Sequence, residues 1–181
     1  MRRKLPRRRF DSRFVHSANV AFTLTIIGVA CASCATPDAE TVRPAIEAEI
    51  EKSLDATRRQ DIEAFMAGFA PGFEIVGPDR RRRVSLENLR AETLRDWMII
   101  PATRDLWMHV ESLRARGDSA VAWTSQRWDR LMLERDGVTR DTVVTTQRHR
   151  ELWRRTPAGW RRARVEELGG SIEVNGKPYT P

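Results

Sequence analysis

The spacing of apolar residues changes once along this chain, from a helical period in the first half to alternation in the second. Between residues 42 and 54 an apolar side chain recurs at every fourth position, as Val42, Ile46, Ile50 and Leu54. Charged residues, among them Glu47, Glu51, Asp55 and Arg58, lie on the other faces. This pattern predicts an amphipathic helix with one buried face.

Two shorter helices are predicted after the first. Asp61 is a typical N-cap for a second helix that includes Phe69 and ends at Pro71 and Gly72. Ser85 is placed to open the third helix, which ends at Pro101. Between these helices, residues 73–76 and 80–84 are predicted to pair as two short antiparallel strands.

Alternating apolar and polar positions predict four strands from residue 102 onward, over residues 106–114, 120–134, 138–155 and 160–168. The turns between them contain Gly117-Asp118, Asp136-Gly137 and Pro157-Ala158-Gly159, which are typical of β-hairpins. Two strands exceed the usual length and must bend or bulge. We therefore predict an α+β cone, in which a curved antiparallel sheet wraps three N-terminal helices and leaves a concave pocket.

The net charge of +7 is concentrated at the N-terminus. Residues 1–34 hold seven basic residues and one acidic residue, so the rest of the chain is nearly neutral. A nearly neutral domain lacks the basic surface that binds nucleic acid, and no nucleic-acid partner is expected.

Residues 1–34 also have the order of an export signal. A basic region precedes the apolar run 20–30, which is followed by small residues and two cysteines. Cys31 and Cys34 each resemble the lipidated cysteine of a bacterial lipoprotein box, whereas cleavage after Ala32 fits plain secretion. The protein is expected to be periplasmic, lipid-anchored or secreted, and to meet a membrane only through this leader or its lipid.

The chain then divides into a domain over residues 35–170 and a C-terminal tail over residues 171–181. The domain resembles a SnoaL-like domain of the nuclear-transport-factor-2-like superfamily. The resemblance is carried by residues 61–65 (DIEAF), 69–73 (FAPGF), 85–89 (SLENL), 117–121 (GDSAV) and 153–161 (WRRTPAGWR). It implies the cone fold and a range of activities, among them isomerases, dehydratases, polyketide cyclases, epoxide hydrolases and members without a known reaction.

The resemblance also implies where catalytic groups would lie. Catalytic members place an acid or base in the cone, often with a Tyr, His or Asp that steadies an oxyanion. The sole tyrosine, Tyr179, lies in the tail. His109 and His149 are therefore the candidate bases, and each has a glutamate two residues further on. The pattern leaves two interpretations open, with both histidines in the cone or both on its outer face.

The candidate ligand-binding residues are Phe65, Phe69, Trp97, Trp123 and Arg127. Arg127 and Asp129 resemble part of an Asp-Arg-Asp epoxide hydrolase site, although a cross-strand ion pair also explains them. Two histidines without matched acidic spacing make a poor metal site, so no metal and no cofactor are expected.

Two functions remain open. In the first, the cone is a non-catalytic module that binds a small apolar ligand or pairs two subunits through its sheet. In the second, an acid–base isomerase, dehydratase or hydrolase uses one of the histidines. The tryptophans of the sheet favour a homodimer in either case.

The leader generates the first prediction. If residues 1–34 are an export signal, the protein purified from its native host begins between Cys31 and Ala35, because the signal is removed during export. Intact-mass spectrometry measures this directly. An added acyl mass would identify a lipoprotein, and a full-length chain that retains Met1 would contradict export.

Overall fold

The computed structural model describes residues 38–79 and 83–179. The export signal predicted over residues 1–34, with Cys31 and Cys34, lies outside the described residues. Within the described ranges no helix is both long and apolar enough to cross a bilayer.

Three helices precede most of the sheet, as the pattern predicted. They are α1 (Ala39–Arg59), α2 (Ile62–Met66) and α3 (Leu86–Ile99). Asp38, Asp61 and Ser85 are their N-caps, and each side chain accepts a hydrogen bond from a backbone N–H of the first turn. The predicted apolar stripe of α1 is buried along its whole length.

Over residues 38–79 and 83–179, seven strands form one curved sheet. They are β1 (Phe69–Val76), β2 (Arg83–Ser85), β3 (Ala102–Arg116), β4 (Ser119–Leu133), β5 (Arg140–Thr156), β6 (Gly159–Val174) and β7 (Lys177–Pro178). The order is β2-β1-β6-β5-β4-β3, with β7 on β6. The predicted α+β cone is confirmed. Because β1 runs parallel to β6, the sheet is mixed, whereas all other strand pairs in the described sheet are antiparallel.

Two predicted boundaries are corrected. Phe69 belongs to β1 and not to the second helix, since Phe69 and Phe73 share an apolar cluster on the sheet and a register shift accommodates Pro71 and Gly72. Within the predicted tail over residues 171–181, residues 171–174 and Lys177–Pro178 are strand. β6 continues to Val174, and β7 folds back on it.

The main core fills one end of the cone. There the stripe of α1 packs on the concave face of the sheet, against Leu113, Ala122, Trp153 and Trp160 among others. Ala120 and Ala122 have short side chains, so they let the helix approach the sheet closely. These contacts fix which face of each long strand is concave.

α1 also covers an edge of the sheet. β3 is an edge strand, and two arginines of α1 donate hydrogen bonds to its carbonyl oxygens. Arg43 Nη1 lies 2.9 Å from the Val110 oxygen, and Arg58 Nη2 lies 2.6 Å from the Leu106 oxygen. The helix is therefore tied to the sheet by polar contacts beside its apolar face.

Candidate functional site

Beyond the main core, the concave face of the sheet encloses a cavity of about 240 Å³. The C-terminal half of α1, together with α2 and α3, forms its roof, and β1 and β3–β6 form its floor. Its apolar wall consists of Leu54, Phe65, Phe69, Phe73, Ile75, Leu89, Trp97, Leu106, Met108, Trp128 and Val165. A concave, mainly apolar space with a few polar groups is the usual form of a small-molecule site.

Aromatic rings pack against one another along this wall. The ring centroids of Phe65 and Phe69 are 5.2 Å apart, those of Phe69 and Phe73 4.4 Å, and those of Phe65 and Trp97 5.9 Å. The first and last pairs meet edge to face, which the ring quadrupoles favour. This side of the cavity presents an aromatic surface, and the phenylalanine rings in it carry no hydrogen-bonding groups.

The opposite wall is polar and is built mainly by β5. Residues on β5 alternate, so Glu151, His149 and Gln147 all face the cavity. Arg162 of β6 and Gln126 of β4 lie beside them. Polar groups on one wall and aromatic groups on the other can fix the orientation of a ligand that has one polar end.

A buried ion pair forms the deep part of the polar wall. Glu151 is only 1% exposed. Its Oε2 accepts hydrogen bonds from Arg162 Nε at 3.1 Å and from Trp153 Nε1 at 3.0 Å. The Arg162 guanidinium also lies 4.9 Å from the centroid of the Trp153 ring. Removing one member of such a pair typically costs about 3–5 kcal/mol, because the other charge is left buried.

His149 stands next to this pair. Burial lowers the pKa of His149, Glu151 raises it, and Arg162 lowers it further. The imidazole is therefore neutral at neutral pH. Its Nδ1 and the Oγ1 of Thr124, its cross-strand partner on β4, are both buried without a hydrogen-bond partner in the described part of the chain. Of these two residues only His149 lines the cavity, so its imidazole is the group of the polar wall placed to bond a polar ligand atom.

The structure brings together four of the predicted site residues. Phe65, Phe69 and Trp97 line the aromatic wall, and His149 lines the polar wall. This arrangement differs from both interpretations of the histidines, since only His149 faces the cavity. That these residues bind a ligand stays a prediction.

The other three lie on the convex face, which corrects their assignment to the pocket. On β4 the even-numbered residues face α1 because Ala120 and Ala122 pack in the core, so Trp123 and Arg127 point the other way. On β3, Leu106 and Met108 face the cavity, and His109 stacks on Trp107 with ring centroids 4.7 Å apart.

Arg127 takes part in a convex acidic–basic cluster. Its Nη1 donates to Asp105 Oδ2 at 2.7 Å, and its Nη2 donates to Asp129 Oδ2 at 3.4 Å. The Asp105–Arg127 contact is the predicted kind of cross-strand ion pair. Although two aspartates flank one arginine, the cluster lies outside the cavity and cannot act on a molecule bound there.

Sequence reasoning missed the pairing of Glu151 with Arg162. A signal for it exists, since opposite charges stand two residues outside the tryptophans of the last hairpin, Glu151 before Trp153 and Arg162 after Trp160. Within the described ranges no group of three or more His, Cys, Asp and Glu side chains is placed to hold a metal ion.

The lowered pKa of His149 generates a prediction about stability. The unfolded chain binds a proton at His149 below about pH 6.5, whereas the folded chain resists it. The free energy of unfolding should therefore fall as the pH drops from about 7 to about 5. Denaturant titration should show a smaller fall for His149→Leu than for the wild type. Equal falls in the two proteins would contradict a buried neutral His149.

No family model and no curated protein matches the sequence. Solved structures do match it. A conserved protein from Planctomyces limnophilus has a TM-score of 0.62 and 17% identity, over 75% of this chain and 98% of that one. A type 2 hexachlorocyclohexane dehydrochlorinase has a TM-score of 0.59 and 10% identity, over 78% and 90%.

A nuclear transport factor 2 (NTF2-like) superfamily protein from Salmonella enterica serovar Typhimurium has a TM-score of 0.55 and 21% identity, over 72% of this chain and 92% of that one. These identities are low, so the likeness concerns the fold. The helices and the curved open sheet correspond to one known architecture. The chain has the NTF2-like fold.

Proposed function

We propose that the cone binds a small, uncharged and mainly apolar molecule that carries one hydrogen-bonding group. The observation that carries this proposal is the cavity itself, which is aromatic on one side and has His149 beside a buried ion pair on the other. In this arrangement the apolar part of the ligand packs on the phenylalanines, and its polar group bonds to the β5 wall.

The charges of the wall favour an uncharged ligand. The positive charge of Arg162 is balanced by Glu151, and His149 is neutral. Asp96 and Glu167 also line the cavity and disfavour an anion. A cation would have to leave water, which is costly, and it would meet the Arg162 guanidinium, which lies 5.8 Å from the centroid of the Phe69 ring.

Acid–base catalysis is the second candidate, and the neutral imidazole of His149 favours it. A neutral histidine in a cavity can accept a proton, and Glu167 is its cross-strand neighbour on β6. Proteins with this fold include enzymes as well as members of unknown function, so the fold does not decide between binding and catalysis. The resemblance to SnoaL-like domains rests on the sequence motifs, and we propose on that basis that this chain is a SnoaL-like domain.

We further propose that the exported domain forms a homodimer through its convex sheet face. Trp107 and Trp123 lie there half-buried, and the Trp123 ring has the guanidinium groups of Arg114 and Arg150 at 5.4 and 6.0 Å. Aromatic and arginine side chains are enriched at interfaces. A second copy of the same face would cover the tryptophans.

Ligand binding can be tested with two probes of similar shape, phenol and toluene, of which only phenol offers an O–H. We expect phenol to bind more tightly, because its hydroxyl bonds to the β5 wall. In His149→Leu the difference in binding free energy between phenol and toluene should shrink by about 1 kcal/mol, the typical net contribution of a hydrogen bond. Isothermal titration calorimetry measures both affinities.

His109→Leu is the matched control, since it removes a histidine from the convex face. It should leave both affinities unchanged. If neither probe binds the wild type, the binding proposal is wrong. Turnover of enolisable or epoxide substrates that is abolished by His149→Ala and retained by His109→Ala would establish the catalytic candidate instead.

Dimerisation can be tested with Trp123→Glu, which places a charge at the centre of the proposed interface. We expect light scattering to give a dimer for the wild type and a monomer for the variant at tens of micromolar, a concentration suited to an interface of standard size. Met98→Glu is the control, since Met98 is exposed on α3, away from that face. A monomeric wild type would contradict the proposal.

A further inference from the structure

A second hollow of about 250 Å³ adjoins the cavity at its open end. We call it the groove, and its walls include Pro78, Thr145, Gly170, Ser171, Ile172 and Tyr179. Gln147 and Glu167 line both the groove and the cavity. The two spaces are therefore adjacent.

β5 and β6 form a continuous floor beneath both spaces. From the deep end outward, the paired residues are Glu151 and Val165, His149 and Glu167, Gln147 and Gly170, and Thr145 and Ile172. The first and last pairs are six residue steps apart on β5, which corresponds to about 20 Å of extended strand. This length suits an elongated molecule.

The floor has a gap where the two spaces meet. Gly170 lies opposite Gln147, so only one of the two strands contributes a side chain there. A Cβ atom at Gly170 would lie 2.0 Å from the carbonyl oxygen of Thr146, so a larger residue does not fit. The close approach of the two backbones thus requires glycine at this position, and glycine places no side-chain atom in the passage.

The groove ends in exposed apolar surface. Ile172 is 37% exposed and Tyr179 is 54% exposed. The backbone N–H of Tyr179 donates to the Ile172 carbonyl oxygen at 2.8 Å, which holds the two residues side by side. Apolar side chains at the mouth of a cavity are suited to contact a part of a ligand that extends out of it.

We propose that the groove binds the distal chain of an elongated ligand whose polar end lies in the cavity. The ligand class is then a linear, uncharged amphiphile with a hydroxyl or carbonyl group near one end. That group bonds to the wall at His149, and the alkyl chain passes Gln147 and packs on Ile172 and Tyr179. This inference rests on the proposed binding function and specifies its ligand class.

The test uses a series of linear alcohols from butan-1-ol to decan-1-ol, with affinities measured by isothermal titration calorimetry. In the wild type we expect each added methylene to strengthen binding about fourfold through the whole series, as burial of a methylene group in an apolar site does. In Ile172→Asp the gain should stop partway along the series, while butan-1-ol binds as it does to the wild type.

Val138→Asp is the matched control. Val138 is 79% exposed at the tip of the β4–β5 hairpin and lines neither space, so this variant should follow the wild type for every alcohol. If the affinity stops rising at the same chain length in the wild type and in Ile172→Asp, the groove proposal is wrong and the cavity proposal stands. Equal weakening of butan-1-ol and decan-1-ol by Ile172→Asp would also overturn it. If no alcohol and no phenol binds, the proposed function fails as well.

Discussion

The hydrogen-bonded pair of Glu151 and Arg162 connects the packed end of this molecule to its hollow end. On one side the pair contacts Trp153, which belongs to the main core, and on the other it forms the wall of the cavity. Both charges are almost fully removed from water, so each is tolerated only because the other is present. The pair also joins β5 to β6, two of the strands that form the floor of the site.

The cavity follows from a mismatch of lengths. α1 has 21 residues and spans about 32 Å, whereas the 17 residues of β5 extend over about 56 Å. One helix cannot cover the concave face of such a strand. Its apolar stripe therefore buries one end of the sheet, and the short α2 and the sparsely buried α3 only roof the remainder. A hollow is the result of covering a long sheet with short helices.

The helices and strands of this fold can be predicted from the sequence, whereas the face of each strand that becomes concave cannot. Gly117 and Gly137 adopt positive φ in their hairpins, so turn chemistry located the strands. The concave face depends on which residues meet α1, and alanines such as Ala120 and Ala122 carry little hydrophobic signal. Extra residues at Glu111 on β3 and at Ala163 on β6 change the alternation within those two strands. The sequence therefore does not show that Trp123 and Arg127 lie on the convex face, and the parallel pairing of β1 with β6 has no local signal at all.

The arginines that join α1 to β3 have a further consequence for how copies of this protein can meet. An uncovered edge strand offers its backbone to any other extended chain, which is the common route to fibrillar aggregation. β3 is 15 residues long, yet Arg43 and Arg58 already occupy two of its carbonyl oxygens and place charged side chains along it. Lateral growth of the sheet would first require these bonds to break. The helix α1, which fills the core, therefore also hinders polymerisation through the β3 edge.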